Sequence, residues 1–234
     1  MKVALLALLA STTSAVAGPV VVLDPGHGGS NPGAKGPGLH EKALTLALAT
    51  KVAARLHDKG VTVELTRTDD RTLTLRQRVA HANRVPADVF VSIHANASPN
   101  RTQRGYETFV LNARGVDVDG RALRTDAPAT RTGVAADIAL VLDDVERGAS
   151  QWESADLAAR VQRAMREVRG DASADRGVRQ DAHHVLLGAT MPAVLVEVGF
   201  VDHPIEGKEL AQAETQDQIA GAIATAILEQ LAEQ

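Results

Sequence analysis

Three short runs of almost unbroken apolar residues constrain this chain most: Val20-Val21-Val22-Leu23, Val89-Phe90-Val91-Ser92-Ile93 and Ala193-Val194-Leu195-Val196-Glu197-Val198. They are short, rich in β-branched residues and without a polar alternate face, the pattern of strands buried on both sides. Between the first two runs the period changes. Leu44, Leu48, Val52 and Leu56 recur every fourth residue behind Glu41 until Lys59-Gly60 closes a helix; a strand follows over Val61 to Leu65 and a second helix over Leu75 to Arg84. Tyr106 to Leu111 alternates like a strand with one wetter face, which predicts a place near a sheet edge. Helix returns from about Ser154 to Val168, a short strand is expected near Val185 to Leu187, and Ile219, Ile223, Ile227 and Leu231 form the stripe of a last helix. The expected fold is a single α/β domain, a mostly parallel twisted sheet of about six strands with helices on both faces. Ligands of such sheets bind beyond the carboxyl ends of the strands.

Four acid/base-capable residues fall at element ends of this pattern. His27 follows the first strand in Leu23-Asp24-Pro25-Gly26-His27-Gly28-Gly29, Glu41 opens the first helix, His94 ends the third strand, and Glu197 sits inside the last one. Two histidines and a carboxylate make a catalytic zinc site with an open position, and a second carboxylate can act as general acid/base. On residue type alone either glutamate fits either role. Taken singly, His27 and His94 also read as turn or strand-end residues, and Glu41 as a first-turn glutamate favoured by the helix dipole. Glu197 has the weakest bland reading, because a carboxylate inside an apolar strand is costly to bury without a partner. The chain has no cysteine, so a metal must be held by histidine and carboxylate.

With aromatics at 2% of the residues, a substrate groove has few rings for stacking and must recognise through hydrogen bonds and charge. A formal charge of -4 argues against a nucleic-acid partner. The arginines between Arg160 and Arg179 are interleaved with Glu167, Asp171 and Asp175 and read as a solvated helix face. Met1-Lys2, the apolar block Val3 to Ala10 and Ala15-Val16-Ala17 read as a signal peptide over residues 1–17. The remainder, residues 18–234, is then the catalytic domain, exported to the periplasm or cell envelope, without a membrane span after cleavage and expected to be a monomer.

The segments LDPGHGG (23–29), GLHEKALTL (38–46), LTRTDD (65–70), LRQRVAHAN (75–83), ADVFVSIHANA (87–97), GYETFVL (105–111) and MPAVLVEVGF (191–200) occur in the order and spacing of a known family. The chain resembles the zinc-dependent N-acetylmuramoyl-L-alanine amidases of the Amidase_3 family, the bacterial cell-wall amidases, from about Val20 to the last helix. The resemblance implies one zinc ion (Zn2+) per chain held by His27, Glu41 and His94, with Glu197 as the catalytic glutamate and peptidoglycan as substrate. Asn96, two residues after a ligand, is a candidate contact to the peptide stem. The same metal chemistry would serve a peptidase cutting between stem amino acids, whereas a non-catalytic wall-binding module gains nothing from a carboxylate beside a metal.

Two stretches depart from the family pattern. After the last strand the run is Gly199-Phe200-Val201-Asp202-His203-Pro204, where the family commonly has Asn two residues after Gly-Phe. Residues from about Asn112 to Ser150 form an insertion with one apolar patch, Ile138 to Leu142, followed by Asp143, Asp144 and Glu146. Its place matches the segment that in division-associated members folds into a helix blocking the active site. By that resemblance a carboxylate of this stretch, with Glu146 the candidate, would be regulatory, and an envelope activator protein would relieve it.

Overall fold

The computed structural model describes residues 18–111, 136–170, 174–181 and 185–233, and of 136–149 the helical backbone alone. The expected signal peptide, residues 112–135 of the insertion, His183 and His184, and the side chain of Glu146 lie outside the described residues. Strands β1 (Val20–Pro25), β4 (Thr62–Leu65), β5 (Val89–Asn96), β6 (Tyr106–Leu111), β7 (Asp175–Asp181) and β8 (Ala193–Phe200) form one sheet in the order β4-β1-β5-β8-β6-β7. The first four are parallel; β6 runs antiparallel to β8, and β7 runs parallel to β6. A two-residue ladder, β2 (Lys35–Gly36) with β3 (Leu39–His40), shapes the loop before the first helix. The helices are α1 (Glu41–His57), α2 (Leu75–Arg84), α3 (Ala136–Arg169), α4 (Glu206–Leu210) and α5 (Ala213–Leu231).

Strand register divides the side chains between two faces. Val21, Leu23, Val91, Ile93, Val194 and Val196 pack with Leu44, Leu48, Val52 and Leu56 of α1, Leu157, Val161 and Met165 of α3, and Ile219, Ile223 and Ile227 of α5. Burial of each such side chain contributes about 1.5–3 kcal/mol, so this face carries most of the drive to fold. The opposite face is thinly covered. Val22, Phe90, Ala193 and Leu195 pack there with Ala82 of α2 and with Val185, Leu186 and Met191. α2 is held by a capping box in which Thr74 and Gln77 satisfy each other's backbone N–H groups. Past these residues, toward the carboxyl ends of β1, β5 and β8, the thinly covered face turns polar.

Three expectations need correction. The arginine-rich stretch is not one helix face: Arg160 to Arg169 belong to α3, but Arg176 and Arg179 lie on β7, an edge strand that the charged residues conceal. No strand forms at Val185 to Leu187, which is a turn. The helix expected from about Ser154 starts at Ala136, inside the insertion, so that the 34-residue α3 takes in the apolar patch Ile138 to Leu142.

Candidate metal centre and active site

β1 ends at Pro25, and the chain leaves it through Gly26 into His27, whose φ of 59° is left-handed, a conformation a non-glycine residue holds only when its surroundings impose it. Two buried arginines impose it here. Arg67 donates to the carbonyls of Pro25 (2.9 Å), Gly26 (2.7 Å) and Lys42 (2.8 Å), and Arg78 to those of Pro25 (2.8 Å) and His27 (2.5 Å). Arg78 is itself paired with Asp24, fully buried in β1, whose other carboxylate oxygen accepts from Ser92 of β5 at 2.8 Å. Gly26 is required by space, since a Cβ there would fall 2.4 Å from Cε1 of His94.

Glu41, the first residue of α1, reaches between the two histidines. Its Oε2 lies 3.0 Å from His27 Nε2 and its Oε1 3.0 Å from His94 Nδ1. The same oxygens accept from the backbone N–H groups of Ala34 (2.7 Å) and Ala95 (2.9 Å). Burial pushes the Glu41 carboxyl upward, but hydrogen bonds and charge from His27 and His94 win and hold it down at about 2. It is therefore an anion at any physiological pH. One ligand atom from each of His27, Glu41 and His94 can be chosen so that all lie within 4.8 Å of one another, the spacing of donors around a single metal ion.

In the sheet ladder Glu197 of β8 stands directly opposite His94 of β5 on one side and Glu107 of β6 on the other. The three therefore share a face and a level, at the open end of the thinly covered side. Glu197 is 9% exposed, and its Oε2 is buried with no hydrogen-bond partner among the described residues. Burial, then the charges of Glu41 and Glu107, raise its carboxyl well above the ordinary 4.5. A carboxyl raised in this way holds its proton to higher pH than an exposed glutamate does, the direction that suits a general acid/base.

Asn96 lies on the same face, with its Nδ2 donating to Glu107 Oε1 at 2.8 Å. Glu107 is 5% exposed, not on a wetter face as the alternation of β6 suggested, and its Oε2 pairs with Arg176 (3.2 Å) and Arg179 (2.6 Å) of β7. Sequence reasoning missed Asp24, Arg67, Arg78, Glu107, Arg176 and Arg179 as members of the site. The one signal available was a charged residue ending or interrupting a strand, at Asp24 and Glu107. The unusual Asp202-His203 pair is tied into the frame: Asp202 Oδ2 accepts from Ser98 N–H (3.0 Å), and His203 Nδ1 from Glu206 N–H (3.1 Å) at the start of α4. No helix among the described residues is long and apolar enough to cross a membrane.

The family model Amidase_3, N-acetylmuramoyl-L-alanine amidase, matches residues 21–229. The chain is 35% identical to the N-acetylmuramoyl-L-alanine amidase AmiA of Escherichia coli K12 over 218 residues, covering 89% of this chain and 75% of that protein. Among solved structures, an N-acetylmuramoyl-L-alanine amidase from Clostridium difficile 630 superimposes with a TM-score of 0.73 at 31% identity, over 94% of this chain and all of that one. The catalytic domain of the amidase CwlV from Bacillus (Paenibacillus) polymyxa gives 0.71 at 32% identity, over 92% and 99%.

Proposed function

This chain belongs to the Amidase_3 family of N-acetylmuramoyl-L-alanine amidases, and on that premise we propose that it is an exported zinc hydrolase. It cleaves the amide between N-acetylmuramic acid and L-alanine in peptidoglycan, with His27, Glu41 and His94 as ligands and Glu197 as general acid/base. The observation that carries this reading is the convergence of those three donors beside a buried carboxylate oxygen with no partner. Two imidazoles and one carboxylate, with no thiolate in the chain, suit zinc better than magnesium or calcium. Glu41 fits a cation as well, since it is an anion set between two ring nitrogens.

When bound, the metal would supply a Lewis acid that acidifies water and polarises the amide carbonyl. The residues of the chain do the remaining work. Glu197 Oε2 accepts a proton from the attacking water and delivers it to the leaving amine nitrogen, and its burial keeps bulk solvent from competing for that proton. Glu41 is the anionic ligand between the two imidazoles, and its orientation is set by the N–H groups of Ala34 and Ala95. Asn96, anchored through its Nδ2, would meet a peptide N–H with its side-chain carbonyl oxygen. Export, a monomeric state and regulation by residues 112–150 through Glu146 and an envelope activator belong to the same proposal. Because Glu146 lies within the helix α3 (Ala136–Arg169), that regulation is tested by Glu146→Gln rather than by a deletion, and the substitution should raise basal hydrolysis of sacculi.

The test is digestion of purified sacculi by the mature protein, with the products read by mass spectrometry. Free stem peptides beginning with L-alanine, lost on chelation and restored by zinc, are expected. Shortened muropeptides would mean a peptidase instead, and no release by the zinc-loaded, folded protein or by its Glu146→Gln variant would overturn the proposal.

A further inference from the structure

The sheet row that carries the metal ligand His94 and the acid/base Glu197 does not end at Glu107. On the edge strand β7, Arg176 and Arg179 both turn to Glu107 Oε2, at 3.2 and 2.6 Å, while Asn96 occupies Oε1. Among the described residues, the one buried carboxylate oxygen Glu107 Oε2 is paired with two guanidinium groups, where a single cation would neutralise it. Glu107 is almost fully enclosed, but the Arg179 side chain is 49% exposed and that of Arg176 27% exposed. Arg176 is further fixed by lying 5.1 Å over the ring of Phe200, itself at the end of β8. The guanidinium groups are thus anchored on Glu107 while their side chains stay partly open to solvent. The bulge that sets Arg176 and Gly177 against Glu107 interrupts the β6–β7 register between Tyr106 and Thr108, and bulges of this kind re-aim side chains at sheet edges.

β7 lies two strands beyond Glu197, roughly 10 Å at about 4.8 Å per strand. An extended peptide advances about 3.5 Å per residue, so a chain lying across the row from the scissile amide meets the arginines about two residues on, once their side-chain length is allowed for. The muramic acid has no carboxylate to offer them, because its lactyl carboxyl is consumed in the amide that is cut. An anion must therefore come from the peptide side. We propose that Arg176 and Arg179, clamped by Glu107, bind the free α-carboxylate of the second stem residue, glutamate joined through its side chain, and so select stems in which that carboxylate is not amidated. The assignment rests on the amidase reading above.

The test uses the zinc-loaded full chain with two soluble N-acetylmuramoyl tripeptides that differ only in this group, carboxylate or carboxamide. Wild type should prefer the carboxylate by roughly tenfold or more in kcat/KM, chiefly through KM, as expected of a charge-assisted hydrogen bond to a positioned guanidinium. Arg179→Gln should bring the two substrates within about threefold of each other, and Arg179→Lys should retain part of the preference. Equal rates on both substrates in wild type, or an equal loss on both in Arg179→Gln, would leave the arginines a structural counter-charge and overturn the proposal. Calorimetric binding of the two free tripeptides supplies a readout independent of the reaction. Tighter binding of the carboxylate form, lost in Arg179→Gln, supports the site even if the amide proves not to be the bond cut; equal binding refutes it even if it is.

Discussion

Beneath α1, α3 and α5 the sheet presents Val21, Leu23, Val91, Ile93, Val194 and Val196, whereas on its other face the same strands, with β6, present Asp24, Ser92, His94, Glu197 and Glu107. The aliphatic face asks only for matching volume. Each group on the polar face asks for a particular partner: Arg78 and Ser92 for Asp24, Glu41 for His94, and Asn96 with two arginines for Glu107. Glu197 Oε2, by contrast, is a buried carboxylate oxygen with no hydrogen-bond partner among the described residues. The difference shows where stability can be spared. A protein held by one face can keep a costly unpaired carboxylate on the other, and it is to that carboxylate that the proposed function gives the proton transfers.

The largest effect expected from breaking this contrast is kinetic. Glu197→Gln should lower stem-peptide release by about 10²–10⁴-fold while zinc content, measured by metal analysis, stays at wild-type level. A wild-type rate would remove Glu197 from the chemistry. Next comes Arg78→Met, which strips Asp24 of its buried counter-charge and His27 of its carbonyl anchor. Urea denaturation should show a loss of about 3–5 kcal/mol, and metal titration a weaker site. A loss below 1 kcal/mol would mean that Asp24 does not depend on this pair.

On the aliphatic face, Leu48→Ala should cost about 2–5 kcal/mol for a side chain with no exposure, yet leave zinc stoichiometry and kcat near wild type at a temperature where the variant is folded. Loss of metal in that folded variant would show the two faces to be coupled. The smallest effect is a pH dependence in metal-free protein. Because the Glu197 carboxyl lies well above 4.5 when folded, its protonation favours the folded state. That contribution is whole below about pH 4.5 and fades as pH climbs toward the raised value. Glu197→Gln cannot ionise, so its stability advantage over wild type should be small at pH 4 and open as pH rises. Parallel stability curves for the two proteins would contradict the burial of an ionisable Glu197.

Much of the scaffold was legible because helices and buried strands declare themselves locally. The i+4 stripe of α1 and the apolar runs of β1, β5 and β8 all carry their pattern in neighbouring residues. β7 was not legible, since Asp175-Arg176-Gly177-Val178-Arg179-Gln180-Asp181 contains one aliphatic residue. It is a strand because β6 offers it a ladder, and its side chains are matched to groups on β6 and α3. The early start of α3 was hidden by Gly148 and Ser150, which interrupt the helical pattern before Ser154. His27, Glu41, His94 and Glu197 stood out for their flanking residues, but residue type could not say which glutamate lies between the histidines.

Local sequence by itself determined the order of the elements, the apolar faces they bury and the cysteine-free set of groups able to hold a metal. Only the tertiary structure decided that Glu41 bridges His27 and His94, that Arg67 and Arg78 hold His27 in a left-handed turn, and that β7 brings two arginines to Glu107. The physical reason is one of range. Periodicity and capping act over a few residues, whereas these pairings join positions from 14 to 72 residues apart and exist only once strand register sets them side by side.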